Sequence, residues 1–302
     1  MHSFSLLITA STAFAVAIPL PGSTYPSPPC PSTTVTENLS SAFGWQLAGT
    51  VSSASSLSQT CTDLQDKQLL KWLNIGLDLT QVEKSACGTR MTSASDVLPK
   101  VVVANTETTA ATLTRAFAAD DYDTFGYLCD NLSYKRVAGF LLDENTIINA
   151  TCQLAAPGGR IPNPAAFSVP ESEQKNSSAI AAYADAQSQL YAYLYAAQAS
   201  STSDLDTLCQ SASGEKEVAS YDALQMNAER VRETICALQE PISVEQGKDQ
   251  MKQWVSASFA TVLVNASGVE GFASMLCEKL SVEGLESVGL DGELVKSFAC
   301  NA

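Results

Sequence analysis

Cysteine is the residue type in this chain whose spacing points most clearly to a chemistry. Cys61, Cys87, Cys129 and Cys152 lie 26, 42 and 23 positions apart, and Cys209, Cys236, Cys277 and Cys300 lie 27, 41 and 23 apart. Each cysteine of the first set meets its counterpart 148 or 149 residues later. The side chains around the third cysteine agree too, Leu128-Cys129-Asp130-Asn131-Leu132-Ser133 against Leu276-Cys277-Glu278-Lys279-Leu280-Ser281. The chain is a tandem duplication, and its eight symmetric thiols suit disulfides in an oxidising compartment. The ninth, Cys30, is left over. It is a candidate for an intermolecular disulfide, or else a free or capped thiol.

Other catalytic chemistry finds little to stand on. The single histidine is His2, inside a cleavable leader, so a mature chain would lack Ser-His-Asp machinery, histidine proton shuttles and histidine metal sites. Asp120, Asp121 and Asp123 cluster, but without the Gly and Glu spacing of a calcium loop, and the second copy has Ser267, Gly268 and Val269 there. They read as a solvated loop. No nucleophile elbow, phosphate loop or nucleotide fingerprint occurs. The expectation is a protein that is not an enzyme and has no metal and no cofactor.

The elements that must position these cysteines follow from the rest of the sequence. Phe4 to Ala17 is an apolar run too short to span a membrane and ends in the small-x-small pattern Ala15-Val16-Ala17, so residues 1–17 read as a signal peptide. Residues 18–36 form a Pro/Ser/Thr-rich leader, 37–154 the first helical repeat, 155–177 a linker rich in Pro and Gly, and 178–302 the second repeat. No later stretch is apolar enough for a membrane span, and no apolar tail follows Cys300. Sequons at Asn38, Asn131, Asn149, Asn176 and Asn265 fit a secreted glycoprotein, extracellular or in a cell wall. A net charge of −15 argues against nucleic acid or an anionic lipid surface as partner. With 45% apolar and 16% charged residues, the chain has a folding composition, enough for two domains that each bury a core.

Helical periodicity dominates. Asn38 to Gln59 is a weak helical signal and Ser178 to Ala212 a stronger one. Val218, Tyr221, Leu224, Val231, Ile235 and Leu238 form the stripe of one continuous amphipathic helix, matched by Leu69, Leu70, Leu73 and Leu77, with Trp72 at the edge of the face and Gly76 as the doubtful point. Pro99 and Pro241 mark junctions before further helices, one at about Glu107 to Phe117 and one opened by a Ser243/Gln246 capping box. Asp143 and Asp291 are N-cap candidates for the final helices. An unbroken helix would hold Cys61 and Cys87 about 39 Å apart, far beyond disulfide reach. The expected pairing is therefore Cys61 with Cys129 and Cys87 with Cys152, then Cys209 with Cys277 and Cys236 with Cys300, the nested arrangement remaining open.

The expected fold is all-α, two tandem disulfide-stapled helical-bundle domains. Helices joined at their ends can enclose a cavity, and Leu70, Leu73, Tyr221, Leu224, Trp254 and Phe259 are its wall candidates; filling a solid core is the competing role for the same residues. The cysteine framework resembles that of the elicitins, secreted helical sterol carriers of plant-pathogenic oomycetes, over about 90 residues of each repeat. Both copies lack the family's closely spaced middle pair, and the Pro-rich leader looks more like that of a filamentous fungus. The resemblance implies the same first-to-third bridge and a sterol or fatty acid as partner, in a host-interaction or cell-wall setting. The alternative is a non-enzymatic effector or structural wall protein with a solid core, acting through protein contacts.

Overall fold

Short polar side chains set where the helices begin. In the computed structural model, which describes residues 32–51, 53–88, 93–161 and 177–302, the first repeat forms eight helices: α1 (Ser32–Thr50), α2 (Ala54–Gln65), α3 (Leu70–Asn74), α4 (Leu79–Cys87), α5 (Ala94–Leu113), α6 (Tyr122–Asn131), α7 (Tyr134–Gly139) and α8 (Glu144–Leu154). The second repeats them as α9 (Ser177–Ala196), α10 (Thr202–Ala212), α11 (Glu215–Ala223), α12 (Ala228–Cys236), α13 (Val244–Asn265), α14 (Phe272–Lys279), α15 (Val282–Glu286) and α16 (Gly292–Cys300). There is no strand among the described residues. The signal segment, Cys30, Asn176 and nearly all of the linker lie outside them.

The duplication extends to individual hydrogen bonds. Ser40 Oγ in α1 accepts the backbone N–H of Asp78 at 2.8 Å, and Ser188 Oγ in α9 accepts that of Asn227 at 2.8 Å. Thr106 in α5 accepts from Asp143 N–H at 2.8 Å, and Ser256 in α13 from Asp291 N–H at 2.7 Å. The four N-cap residues Asp78, Asn227, Asp143 and Asp291 each accept first-turn N–H groups, which otherwise lack partners. The capping box of Ser243 and Gln246 forms as expected, and Ser93 with Asp96 is its counterpart. Helix α5 therefore starts well before Glu107, with Pro99 inside it rather than at a junction. Helix α1 likewise starts within the residues expected to belong to the leader.

The continuous helices expected between the first and second cysteines do not exist. The stripe from Val218 to Leu238 is carried by α11 and α12, which are separated at Gln225, with φ +58°, and Asn227, the cap of the next helix. In the first repeat the break falls at Gly76, φ +109°, followed by Asp78. Likewise 178–212 is two helices, α9 and α10. The chain folds back at each break and brings neighbouring cysteines together. The disulfides are Cys61–Cys87, Cys129–Cys152, Cys209–Cys236 and Cys277–Cys300, with Cα–Cα distances of 5.7, 4.8, 4.9 and 4.7 Å. The expected Cys61–Cys129, Cys87–Cys152, Cys209–Cys277 and Cys236–Cys300 bridges are thus corrected, because the helical rise that forbade neighbours applies only to an unbroken helix.

Packing does not follow the boundary between the repeats. One core joins Phe125, Leu128, Phe140 and Ile148 to Phe259, Leu263, Leu276 and Val295; the other joins Phe43, Leu47, Trp72 and Val97 to Tyr191, Leu194, Tyr221 and Ile235. Each core draws on both repeats, so neither repeat encloses a core of its own. Reciprocal hydrogen bonds tie them, Ser133 N–H to Ala266 O and Ser281 N–H to Ala116 O, both 2.8 Å. This is the signature of a two-fold relation, in which residue i meets j and the counterpart of j meets the counterpart of i.

Candidate functional site

The wall residues expected from periodicity do not meet in one place. Leu70 and Leu73 are 47% and 50% exposed, because the buried face of α3 is that of Trp72, whose Nε1–H donates to Leu194 O at 2.7 Å. Tyr221 is core, edge-on to Tyr191, and Trp254 packs edge-on against Tyr193. Only Leu224 reaches a cavity of useful size, while Phe259 borders a small void of about 30 Å³.

That cavity is a groove of about 180 Å³ between the repeats. Leu98, Val101 and Val102 of α5 form its floor, with Phe140 and Leu141 beyond α7, Ile180 and Ala184 of α9, and Leu224 and Met226 at the α11–α12 turn. Gln46, Asn105, Tyr183, Gln187 and Gln225 bring the polar groups. None of their side chains hydrogen-bonds to another described residue, and burial pushes the Tyr183 hydroxyl well above the usual tyrosine range, so it stays protonated. No Lys, Arg, His, Asp, Glu or Cys lines the groove. Two rim residues hold left-handed backbone, Leu141 at φ +55° and Gln225 at φ +58°. Such a conformation costs a non-glycine residue about 1–2 kcal/mol. Lys67, φ +55°, is a third, in the α2–α3 turn away from the groove.

The repeat offers an internal control. Aligning α1 with α9, α4 with α12, α5 with α13 and α8 with α16 through the matched hydroxyl and N-cap pairs gives each groove residue a counterpart. Gln46, Asn105, Tyr183, Gln187 and Gln225 correspond to Leu194, Val255, Val35, Leu39 and Gly76. Every polar group is thus apolar or glycine in the other copy. Leu141 corresponds to Gly289, which is also left-handed, at φ +86°. Val101 and Ala104 correspond to Met251 and Trp254, and Met251 occupies the second position: a Cβ on Gly76 would lie 3.0 Å from its Cε. Met251 thus reaches into the cleft that corresponds to the groove.

Comparison with known protein families, curated proteins and solved structures finds no match.

Elsewhere the carboxylates act structurally. Asp121 caps α6, accepting from Thr124 N–H at 3.0 Å and Thr124 Oγ1–H at 2.7 Å, and the hydroxyl hydrogen bond holds its carboxyl below the usual range. Among the described residues no three His, Cys, Asp or Glu side chains group as a metal site, and no helix is long and apolar enough to cross a membrane. Of the sequon asparagines, Asn149 is exposed; Asn131 and Asn265 are half-buried, each donating its amide to a helix carbonyl, and Asn38 is half-buried. Nothing in the sequence of one repeat marks the groove, since its polar residues come from α1, α5, α9 and the α11–α12 turn. The available signal was the mismatch between copies.

Proposed function

We propose that this is a secreted, glycosylated binding protein, not an enzyme, that holds one small apolar molecule in the groove between its repeats. The observation that carries the reading is the asymmetry between the copies: five polar groups line the groove where the other copy has apolar residues or glycine, and Met251 reaches into the related cleft. Gln46 and Tyr183 are buried, Asn105 and Gln187 half-buried and Gln225 exposed, so the hollow offers hydrogen-bonding groups that no other described side chain engages. A dry engineered cavity of roughly 150 Å³ takes up benzene, so a groove of about 180 Å³ suits a body of six to ten carbons. A short acyl chain or the ring end of a sterol would enter, with the rest protruding. Four disulfides and the absence of a spanning helix among the described residues support an extracellular setting, and the cysteine spacing's likeness to elicitins supports a role facing a host or a cell wall.

Native mass spectrometry of the secreted protein tests this. The expected spectrum shows one apolar molecule per chain, absent from Val101→Met, which places in the groove the residue that reaches into the related cleft. A spectrum without bound ligand in every preparation, or with equal loading of wild type and variant, contradicts the reading. A second reading, contact with a host protein or wall component, is favoured by the exposed Leu70 and Leu73 on α3. It predicts that replacing both by Ser abolishes wall association and leaves groove binding intact; unchanged association would contradict it.

A further inference from the structure

The small void and the groove share Asn105, Tyr183 and Gln187 as a common wall. The void lies among the four central helices, bounded by Leu39, Thr108, Thr112, Leu190, Val255 and Phe259, and it contains a group that the fold leaves unused: Ser258 Oγ, buried and without a hydrogen-bond partner. Ser258 is only 4% exposed. Buried hydroxyls are normally partnered, and about 30 Å³ is room for one water-sized group.

Neither hollow offers a charge. No ionic side chain of the surrounding elements lines either hollow; among them, Lys100 of α5 lies over the Trp45 ring, Asp185 of α9 is held by Asn227 and Arg230, and the Arg136 guanidinium of α7 lies against Gly268. Tyr183 is the single titratable lining residue and remains neutral. A carboxylate entering this site would lose its hydration with no cation to replace it, against a chain of net charge −15.

Resting on the groove reading, we infer that the site selects uncharged amphiphiles, a short apolar body with one hydroxyl or amide head, and that this head turns inward toward Asn105, Gln187 and Ser258. A fatty acid is admitted only in its protonated form. The polar lining supplies amide N–H and C=O groups and hydroxyls, which satisfy a neutral head as both donor and acceptor.

Equilibrium dialysis of the full-length secreted protein against 1-octanol and octanoate tests this at pH 7.5 and pH 4, with circular dichroism to show that the fold persists. The expected result is octanol at least ten-fold tighter than octanoate at pH 7.5, with the gap closing at pH 4, where the acid approaches its ordinary carboxyl range of about 4 to 5. Ser258→Ala should weaken octanol several-fold while leaving the thermal midpoint equal or higher, because it removes an unsatisfied hydroxyl. Equal binding of octanol and octanoate at pH 7.5 overturns the selection for neutral heads and leaves the groove standing. Octanol binding unchanged by Ser258→Ala overturns the inward head. If neither probe binds, the groove reading falls and takes this inference with it.

Discussion

At the scale of single residues, the groove carries strain that glycine would relieve. Gln225 is exposed and left-handed, and its counterpart is Gly76. Gln225→Gly should therefore raise the unfolding free energy by about 0.5–1 kcal/mol in urea titration, glycine's entropic cost offsetting part of the relief, and should weaken ligand binding. A destabilised Gln225→Gly protein would remove the strain argument. Ionisation gives a second residue-scale prediction. Desolvation raises the hydroxyls of Tyr183, Tyr191 and Tyr221 above their ordinary value of 10.0. A raised folded value means that stability is fully present below pH 10 and is lost as the pH climbs from there. Asp96, Asp121 and Asp204 are held low, chiefly by hydrogen bonds from the Ser93 and Thr124 side chains and the Ser200 backbone. Their contribution is present above the ordinary value of 3.8 and fades as the pH falls through the depressed values. Thermal midpoints measured across pH should fall at both ends, the alkaline fall being steep because three buried tyrosines ionise together on unfolding.

At the scale of elements, the stripes from Val218 to Leu238 illustrate what periodicity conceals. The apolar positions are buried or half-buried as read, yet Leu224 and Val231 stand seven residues apart, two full turns, so a break between them leaves the stripe in phase. Asn227, an N-cap residue type in that gap, was the legible sign of the break. By contrast the caps Asp143, Asp291 and Ser243 were readable because their chemistry is local. Helical hairpins α2–α4, α6–α8, α10–α12 and α14–α16 are each closed by one disulfide over 26, 23, 27 and 23 residues. Loops of that size imply roughly 3–4 kcal/mol of stabilisation apiece from the restricted unfolded chain. Replacing Cys209 and Cys236 together by Ala should cost about that much in chemical denaturation and, in peptide maps of unreduced protein, leave Cys277–Cys300 intact. Scrambled pairing of the remaining cysteines would contradict independent hairpins. Val101→Met belongs to the same scale: filling a hollow with an adaptable side chain should change stability by less than about 1.5 kcal/mol while removing binding.

At the scale of the molecule, the two repeats act as halves of one object. Phe140 packs edge-on against Tyr183, Trp72 bonds to Leu194, and the Ser133 and Ser281 amides cross in opposite directions. Residues 32–161 produced alone should therefore bare half of each shared core and fail to unfold cooperatively, whereas mixing with residues 177–302 should restore a single transition. Two independent cooperative transitions from the separate halves would contradict the shared cores. The duplication and the helical class were legible because cysteine spacing and apolar stripes are written along the chain; the sharing of cores was not, because it is a property of how the copies meet.

The most direct test of the groove is methyl-resolved NMR of the full-length protein titrated with 1-octanol. Perturbations centred on the groove methyls of Leu98, Val101, Val102, Leu141, Ile180, Leu224 and Met226, saturating at one equivalent and leaving Ile75, Leu77 and Met251 unmoved, are the predicted result. Equal perturbation of both sets, or shifts centred on Leu70 and Leu73, would contradict it.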